Sequence, residues 1–253
     1  LPMVFLGGIY FFLLIAIMLA IAAWEYGRMF QKTGNHASLP ILLGGVIIIL
    51  TTRVYIPEMV PAALTLCVLS AMTWHLVDYE RGIDTAGTDF AITLGGLLYL
   101  GWIGAYLVEL RALEDGLWWF FLVLVAIWLA DSFAFFIGVR FGRHKLCPRL
   151  SPKKTWEGYW GGVFFGTLGS VGVALLFIPL GGPMVPWWQA AILGAVLSIL
   201  TTLGDLGESM LKRTVGVKDS GSIMPGHGGI FDRIDSWLWG AALGFYLVTW
   251  MIL

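Results

Sequence analysis

The side chains best suited to chemistry lie near the end of the chain, in residues 218–236, KDSGSIMPGHGGIFDRIDS. This polar stretch holds three aspartates, a histidine, a lysine and an arginine, interleaved with glycines. Carboxylates suit a hard cation such as Mg²⁺, and lysine and arginine bind phosphate oxygens. Glycine lets backbone N–H groups approach a ligand closely. The polar stretch therefore predicts a site for a metal ion and a phosphate-bearing substrate.

A simpler interpretation of these aspartates is helix capping, because acids near a helix N-terminus complement its dipole. Capping needs one such residue, whereas Asp219, Asp232 and Asp235 fall within seventeen positions. His227 has two open roles, as a general acid or base, or as a donor of a positioning hydrogen bond.

A second candidate segment, GDLGESMLKR, occupies residues 204–213. If a helix continues through it, Asp205, either Glu208 or Ser209, and Lys212 lie along one face. A solvated helix end is the alternative, since an acid placed before a base at helical spacing stabilises a helix by itself. Asp205 directly follows the apolar residues TLG, which favours a position in the membrane interface.

Asp131 is a further candidate, because it interrupts the apolar run AIWLADSFAFF. A carboxylate at membrane depth costs a few kcal/mol, about 3 on insertion scales, so it should face a cavity, a partner or a metal ion. The alternative is a buried ion pair that only stabilises helix packing.

The elements that must position these residues are transmembrane helices. Of the 253 residues, 58% are hydrophobic and 12% are charged, against about one quarter charged in soluble domains. Apolar segments of spanning length occur at 3–24, 40–56, 58–77, 90–108, 117–137, 159–178, 187–203 and 236–253. We therefore expect an all-α polytopic integral membrane protein with about eight transmembrane helices. Residues 1–253 should form one transmembrane domain, with helices one to four in 1–110 and the catalytic helices five to eight in 117–253.

The placement of basic residues predicts the orientation. Thirteen Lys and Arg residues follow predicted helices one, three, five and seven, and the other side holds only Arg53 and Arg111. Basic loops face the cytoplasm. Ten of the fifteen fall in the loops 138–158 and 204–235, where we expect the site. A transporter for an anionic solute is the non-enzymatic alternative, but the nearly uncharged outer side argues against a polar path. We expect no nucleic-acid partner.

The segment from Ser209 to Asp235 resembles the phosphatidate cytidylyltransferases, or CDP-diacylglycerol synthases. The matching positions are Ser209, Lys212, Arg213, Lys218, Asp219, Gly221, Pro225, His227, Gly228, Gly229, Asp232, Arg233 and Asp235. Met224 departs from the usual Leu, Ile or Phe. ADSFAFFIGVRFGRHKL, SPKKTWEG and WEYGRM are also similar to the family, so the resemblance spans nearly the whole chain. Family members usually begin with a further apolar segment, which implies nine helices in the natural chain.

The resemblance implies that CTP and phosphatidate give CDP-diacylglycerol and pyrophosphate, with Mg²⁺ required and a second metal ion proposed. It implies metal binding chiefly by Asp205 and Asp232, with Asp131 and Asp235 as further ligands or supporting groups. The expected catalytic residues are Asp205, Lys212, Asp219, His227, Asp232 and Asp235. The expected substrate-binding residues are Lys153, Lys154, Ser209, Arg213, Lys218, Gly228, Gly229 and Arg233.

The resemblance also implies a homodimer in the bacterial plasma (inner) membrane, with its active site facing the cytoplasm. Two other lipid enzymes stay as alternatives. A CDP-alcohol phosphatidyltransferase would need a Gly-x-x-x-Asp-x-x-x-Asp spacing, which this sequence lacks. A prenol kinase that uses CTP is the second alternative.

Overall fold

The structure is a computed structural model that describes residues 2–223 and 228–253. The α-helices are α1 (Pro2–Leu6), α2 (Gly8–Gln31), α3 (Leu39–Tyr55), α4 (Val60–Glu80), α5 (Ala86–Gly96), α6 (Tyr106–Ala112), α7 (Gly116–Phe141), α8 (Trp156–Phe177), α9 (Trp187–Leu200), α10 (Thr202–Thr214) and α11 (Phe231–Leu247). Short 3-10 turns cover Pro57–Met59 and Ile178–Leu180, and π-helical turns cover Leu97–Ile103 and Val248–Ile252. Strands β1 (Lys145–Cys147) and β2 (Ser151–Thr155) form a small hairpin.

The predicted class, an all-α polytopic membrane protein, is confirmed. All eight predicted apolar segments are helical. Within the described residues, six helices are long and apolar enough to cross a membrane. The other two predicted spans correspond to α3 and α11, each 17 residues long.

The predicted loop 204–235 is helical at both ends, which corrects its boundaries. α10 continues to Thr214, and α11 begins at Phe231 rather than at Ser236. Hydropathy marks where the apolar residues stop, but the backbone hydrogen bonds continue into the charged residues. The charges of α10 suit this extension, because Asp205 lies in its first turn and Lys212 and Arg213 lie in its last turn.

By its internal contacts the chain divides into two compact units. The first unit comprises Leu1–Val108 and Leu211–Ile234, and the second comprises Glu109–Met210 and Asp235–Leu253. Most of the polar stretch therefore belongs with the N-terminal helices.

In the first unit, close packing depends on glycines that face large side chains. A Cβ at Gly96 would lie 2.6 Å from Leu42 Cδ1 and 2.9 Å from a Tyr26 ring carbon. The buried Asp89 carboxylate accepts hydrogen bonds from the His36 backbone N–H and the Thr85 hydroxyl, both at 2.8 Å. This contact holds the connection between α2 and α3 against α5.

In the second unit, α7 and α8 pack through a stripe of small residues on α8. A Cβ at Gly158 would lie 2.5 Å from the Ala134 carbonyl oxygen, and one at Gly162 would lie 2.5 Å from the Ala130 carbonyl oxygen. The two backbones can approach this closely only where side chains are absent. Since Asp131 follows Ala130 in the sequence, this packing sets the position of its carboxylate.

The β-hairpin was not predicted and lies within the predicted loop 138–158. Its antiparallel register pairs Lys145 with Thr155 and Cys147 with Ser151. Glu157 stabilises the start of the hairpin. Its carboxylate accepts hydrogen bonds from the His144 ring at 2.6 Å and from the Arg143 backbone N–H at 3.0 Å. Lys153 and Lys154 are thereby carried on an ordered strand rather than on a loop.

Candidate active site

Asp232, the second residue of α11, is the centre of the polar stretch in the first unit. Its Oδ1 accepts from Lys212 Nζ at 2.6 Å. Its Oδ2 accepts from the Ser220 backbone N–H at 2.9 Å, the Ser220 hydroxyl at 2.8 Å and the Gly229 backbone N–H at 2.7 Å. Donors from Lys212, Ser220 and Gly229 thus converge on one carboxylate.

The Asp232–Lys212 ion pair is almost fully buried, with side chains 7% and 11% exposed. Three of these donors converge on Oδ2, which has only two lone pairs, so that oxygen is fully used. Breaking such a pair by removing one partner costs about 3–5 kcal/mol, because the other charge is left buried and uncompensated. The pair therefore holds the C-terminal turn of α10 to the first turn of α11 within this unit.

The glycines of the stretch have different physical roles. Gly228 has a φ of +81°, a left-handed conformation that side chains rarely adopt, and its Cβ position lies 2.5 Å from Asp232 Oδ2. Gly229 and Gly221 show no such φ. The Gly229 N–H donates to the Asp232 carboxylate at 2.7 Å, whereas the close approach of a glycine N–H to a bound ligand stays a prediction.

Glu25 on α2 is a buried residue of this cluster that the sequence analysis missed as a site residue. Its side chain is 1% exposed, and its Oε2 accepts from the Phe231 backbone N–H at 2.9 Å. The Ser220 hydroxyl oxygen lies 3.4 Å from the same atom. The signal that selected Asp131, a carboxylate within an apolar helix, also applies to Glu25 in IAAWEYGRM.

In the second unit, Asp205 pairs with Lys154. Asp205 Oδ2 lies 2.5 Å from Lys154 Nζ, and Asp205 Oδ1 accepts from the Ser209 hydroxyl at 3.3 Å. The Asp205 and Lys154 side chains are 34% and 25% exposed, so solvent screens this pair more than the buried one. Asp205 keeps acceptor capacity for a further ligand, because only two of its lone-pair sites are used by these contacts.

Two more predicted carboxylates belong to the second unit. Asp131 lies within electrostatic range of Lys154, Asp205 and Asp235. Its side chain is exposed at the surface of the described residues, and the two roles predicted for it, as a metal ligand or as an ion-pair partner, stay predictions. Asp235 is buried, and its carboxylate accepts from the Ser236 backbone N–H at 2.6 Å. Three acids and one lysine thus influence one another in this unit.

The remaining predicted site residues are at the surface or outside the described part. The side chains of Lys153, Arg213, Lys218, Asp219 and Arg233 are exposed. Arg213 donates to the Val217 carbonyl at 3.1 Å. His227 lies outside the described residues, so its two open roles stay predictions.

The carboxylates were tested for their fit to Mg²⁺. Among residues 2–223 and 228–253, no three His, Cys, Asp or Glu side chains converge as they would around an ion. Mg²⁺ usually takes only one or two protein carboxylates and completes its shell with water and substrate phosphates. Asp205 fits that requirement, with Asp131 and Asp235 adding negative charge nearby. Asp232 would have to exchange one of its present donors to bind an ion.

Comparison with known proteins gives a consistent result over the whole chain. The family model described as "Cytidylyltransferase family" matches residues 1–251. A phosphatidate cytidylyltransferase of Bacillus subtilis (strain 168) is 36% identical over 257 residues, covering 98% of this chain and 91% of the relative. Proteins of the same name from Pseudomonas aeruginosa and Synechocystis sp. are 34% and 32% identical, covering 91% and 98% of this chain and 84% and 91% of the relatives. Both the matched family model and these relatives show that the chain belongs to the cytidylyltransferase family.

Proposed function

We propose that this membrane protein transfers the cytidylyl group of CTP to phosphatidate, giving CDP-diacylglycerol and pyrophosphate. The observation that carries the proposal is the buried Lys212–Asp232 pair. It organises the segment by which the sequence resembles enzymes of this name. The similarity of the whole chain to phosphatidate cytidylyltransferases supports the same reaction.

In this reaction a phosphate oxygen of phosphatidate forms a bond to the α-phosphorus of CTP, and the bond between the α-phosphorus and the bridging oxygen to the β-phosphate breaks. Phosphate monoesters have a second pKa of about 6, so the attacking oxygen is already anionic at neutral pH. No strong general base is required. The protein must align the two phosphates and stabilise negative charge as pyrophosphate leaves.

The basic residues provide that stabilisation under this proposal. Lys212 in the first unit and Lys154 in the second are held in place by aspartates, so each presents a positioned ammonium group. The exposed side chains of Lys153, Arg213, Lys218 and Arg233 are proposed to bind phosphate oxygens of CTP or phosphatidate. Asp219 is proposed to orient one of these lysines, and His227 keeps the two roles given above.

We also propose Mg²⁺ as the cofactor. Asp205 is proposed as a ligand, with Asp131 and Asp235 as further or supporting groups, and Asp232 as a ligand that exchanges a present donor. Bound Mg²⁺ would neutralise charge on the phosphates. A second ion is part of the proposal only through the family resemblance.

The cellular setting is proposed from the placement of charge. Thirteen of fifteen Lys and Arg residues follow the first, third, fifth and seventh apolar segments, which supports a cytoplasm-facing site in the bacterial plasma membrane. The homodimer implied by the resemblance can be tested by light scattering on the detergent-solubilised protein.

Two labelled forms of CTP test the reaction. Purified protein in detergent is given phosphatidate with α-³²P-CTP or γ-³²P-CTP, with and without Mg²⁺. Cytidylyl transfer moves only the α-label into the chloroform phase, whereas a lipid kinase moves only the γ-label. Replacing phosphatidate with a prenol tests the alternative of a prenol kinase that uses CTP. Absence of α-label transfer by full-length, monodisperse protein would overturn the proposal.

A further inference from the structure

Glu25 is a buried carboxylate that accepts a hydrogen bond from the polar stretch, although the two are far apart in sequence. It lies on α2, and its hydrogen-bond partner Phe231 is 206 positions later, at the first residue of α11. Both belong to the first unit. Its other oxygen, Oε1, has no hydrogen-bond partner among the described residues. Burying a carboxylate is costly unless its surroundings compensate for the lost hydration, so its placement requires an explanation.

Two glycines of the polar stretch lack the Cβ atom that would overlap with this carboxylate. A Cβ at Gly221 would lie 2.4 Å from Glu25 Oε1, and a Cβ at Gly229 would lie 2.4 Å from Glu25 Oε2. Neither glycine has a positive φ, so backbone conformation does not require glycine at these positions. Glu25 occupies the space that a side chain at Gly221 or Gly229 would need.

The residues that Glu25 contacts are also neighbours of Asp232. Glu25 holds the N–H of Phe231, the residue before Asp232, and thereby fixes where α11 begins. Ser220 lies between the two carboxylates, with its hydroxyl oxygen 3.4 Å from Glu25 Oε2 and 2.8 Å from Asp232 Oδ2. The shorter distance assigns the single hydroxyl proton to Asp232, so Glu25 acts on Asp232 through its hydrogen bond from Phe231 rather than through Ser220.

We infer that Glu25 is a positioning residue of the active site. It fixes the first turn of α11, through the Phe231 N–H, so that Asp232 meets Lys212. Its effect on turnover, which rests on the proposed function, acts through these residues and needs no contact with either substrate.

The first test compares Glu25→Ala, Glu25→Gln and Leu19→Ala, all in full-length protein. Leu19 is fully buried on the same helix, and its replacement controls for general destabilisation. We expect kcat per folded molecule to fall about 100-fold in Glu25→Ala, the size expected when reacting groups are misplaced by about 1 Å. Glu25→Gln should recover most of this loss, because its amide oxygen can still accept from Phe231. Leu19→Ala should keep its kcat. An undiminished kcat in Glu25→Ala overturns the inference.

The second test is a double-mutant cycle that uses the fit between Glu25 and Gly221. Gly221→Ala should lower kcat in the natural background, because the new Cβ collides with Glu25. In the Glu25→Ala background the same change should have little further effect. Equal, independent losses in both backgrounds would overturn the proposed fit.

A readout without activity separates this inference from the proposed function. Lys218 is exposed, so the rate of trypsin cleavage after it measures how readily the surrounding backbone unfolds locally. Glu25→Ala should be cleaved at least several-fold faster than Leu19→Ala at equal thermal stability. If the unmodified protein transfers no label, the proposed function fails, and the cleavage comparison still decides whether Glu25 positions the stretch. Equal cleavage rates would overturn it.

Discussion

Lys212 and Asp232 are twenty positions apart in sequence, and their charged atoms lie 2.6 Å apart in a nearly solvent-free contact. The Lys212 ammonium neutralises Asp232, while Ser220 and Gly229 saturate the other carboxylate oxygen. Stability and proposed chemistry therefore depend on the same residues, and substitutions must be designed to separate the two contributions.

Removing both charges of this pair separates stability from activity. Lys212→Met should lower the free energy of unfolding by about 3–5 kcal/mol, because Asp232 is left as an uncompensated buried charge. The double variant Lys212→Met/Asp232→Asn should regain most of that stability. Its label transfer should stay at least about 100-fold below normal, since the positioned ammonium is lost. Thermal unfolding in detergent and the α-³²P assay measure the two effects. Normal transfer by the double variant would contradict the role proposed for the pair.

The Lys154–Asp205 pair should behave differently because it is partly exposed. Lys154→Ala should change the stability by less than about 1 kcal/mol, as for other partly solvated pairs. Label transfer should nevertheless fall at least about 10-fold, because Lys154 is proposed to bind phosphate. Lys145→Ala, an exposed lysine of the same hairpin, is the matched control and should keep activity. Equal activities of the two variants would remove Lys154 from the site.

Gly228 and Gly216 provide a matched test of the glycine turn. Both have positive φ, +81° and +71°, but only a Cβ at Gly228 would collide with Asp232, whereas Gly216 faces open space. Each Ala variant should lose about 1–2 kcal/mol of stability from the left-handed backbone. Only Gly228→Ala should also lose label transfer. Comparable transfer by the two variants would show that the contact with Asp232 is unimportant.

The small-residue stripe of α8 can be tested with two glycines of that helix. Gly162→Ala should destabilise the protein by about 1–3 kcal/mol, because its Cβ meets the α7 backbone at Ala130. Gly172 has no atom within 4 Å of its Cβ position, so Gly172→Ala should be neutral or stabilise the helix by up to about 1 kcal/mol. We expect Gly162→Ala also to lower label transfer by displacing Asp131. The thermal midpoints of both variants measure the difference, and a stable Gly162→Ala protein would contradict the packing.

The sequence by itself determined the properties that depend on local composition. Hydropathy over about twenty residues identified the eight apolar helical segments, because the cost of placing a side chain in lipid is nearly additive along a helix. The spacing of Lys212, Asp232 and the glycines predicted a functional site in the polar stretch, which stays a prediction. The carboxylate at Asp131 was selected for the same local reason, an acid within apolar neighbours.

The tertiary structure decided which of these groups meet. The pairing of Asp232 with Lys212, and of Asp205 with Lys154, could not be read from a sequence in which either acid could partner several basic residues. The role of Glu25 depends on a contact across 206 positions. Buried polar groups form hydrogen bonds with the groups that lie next to them in the folded chain. Which groups are neighbours depends on the whole fold rather than on any single segment.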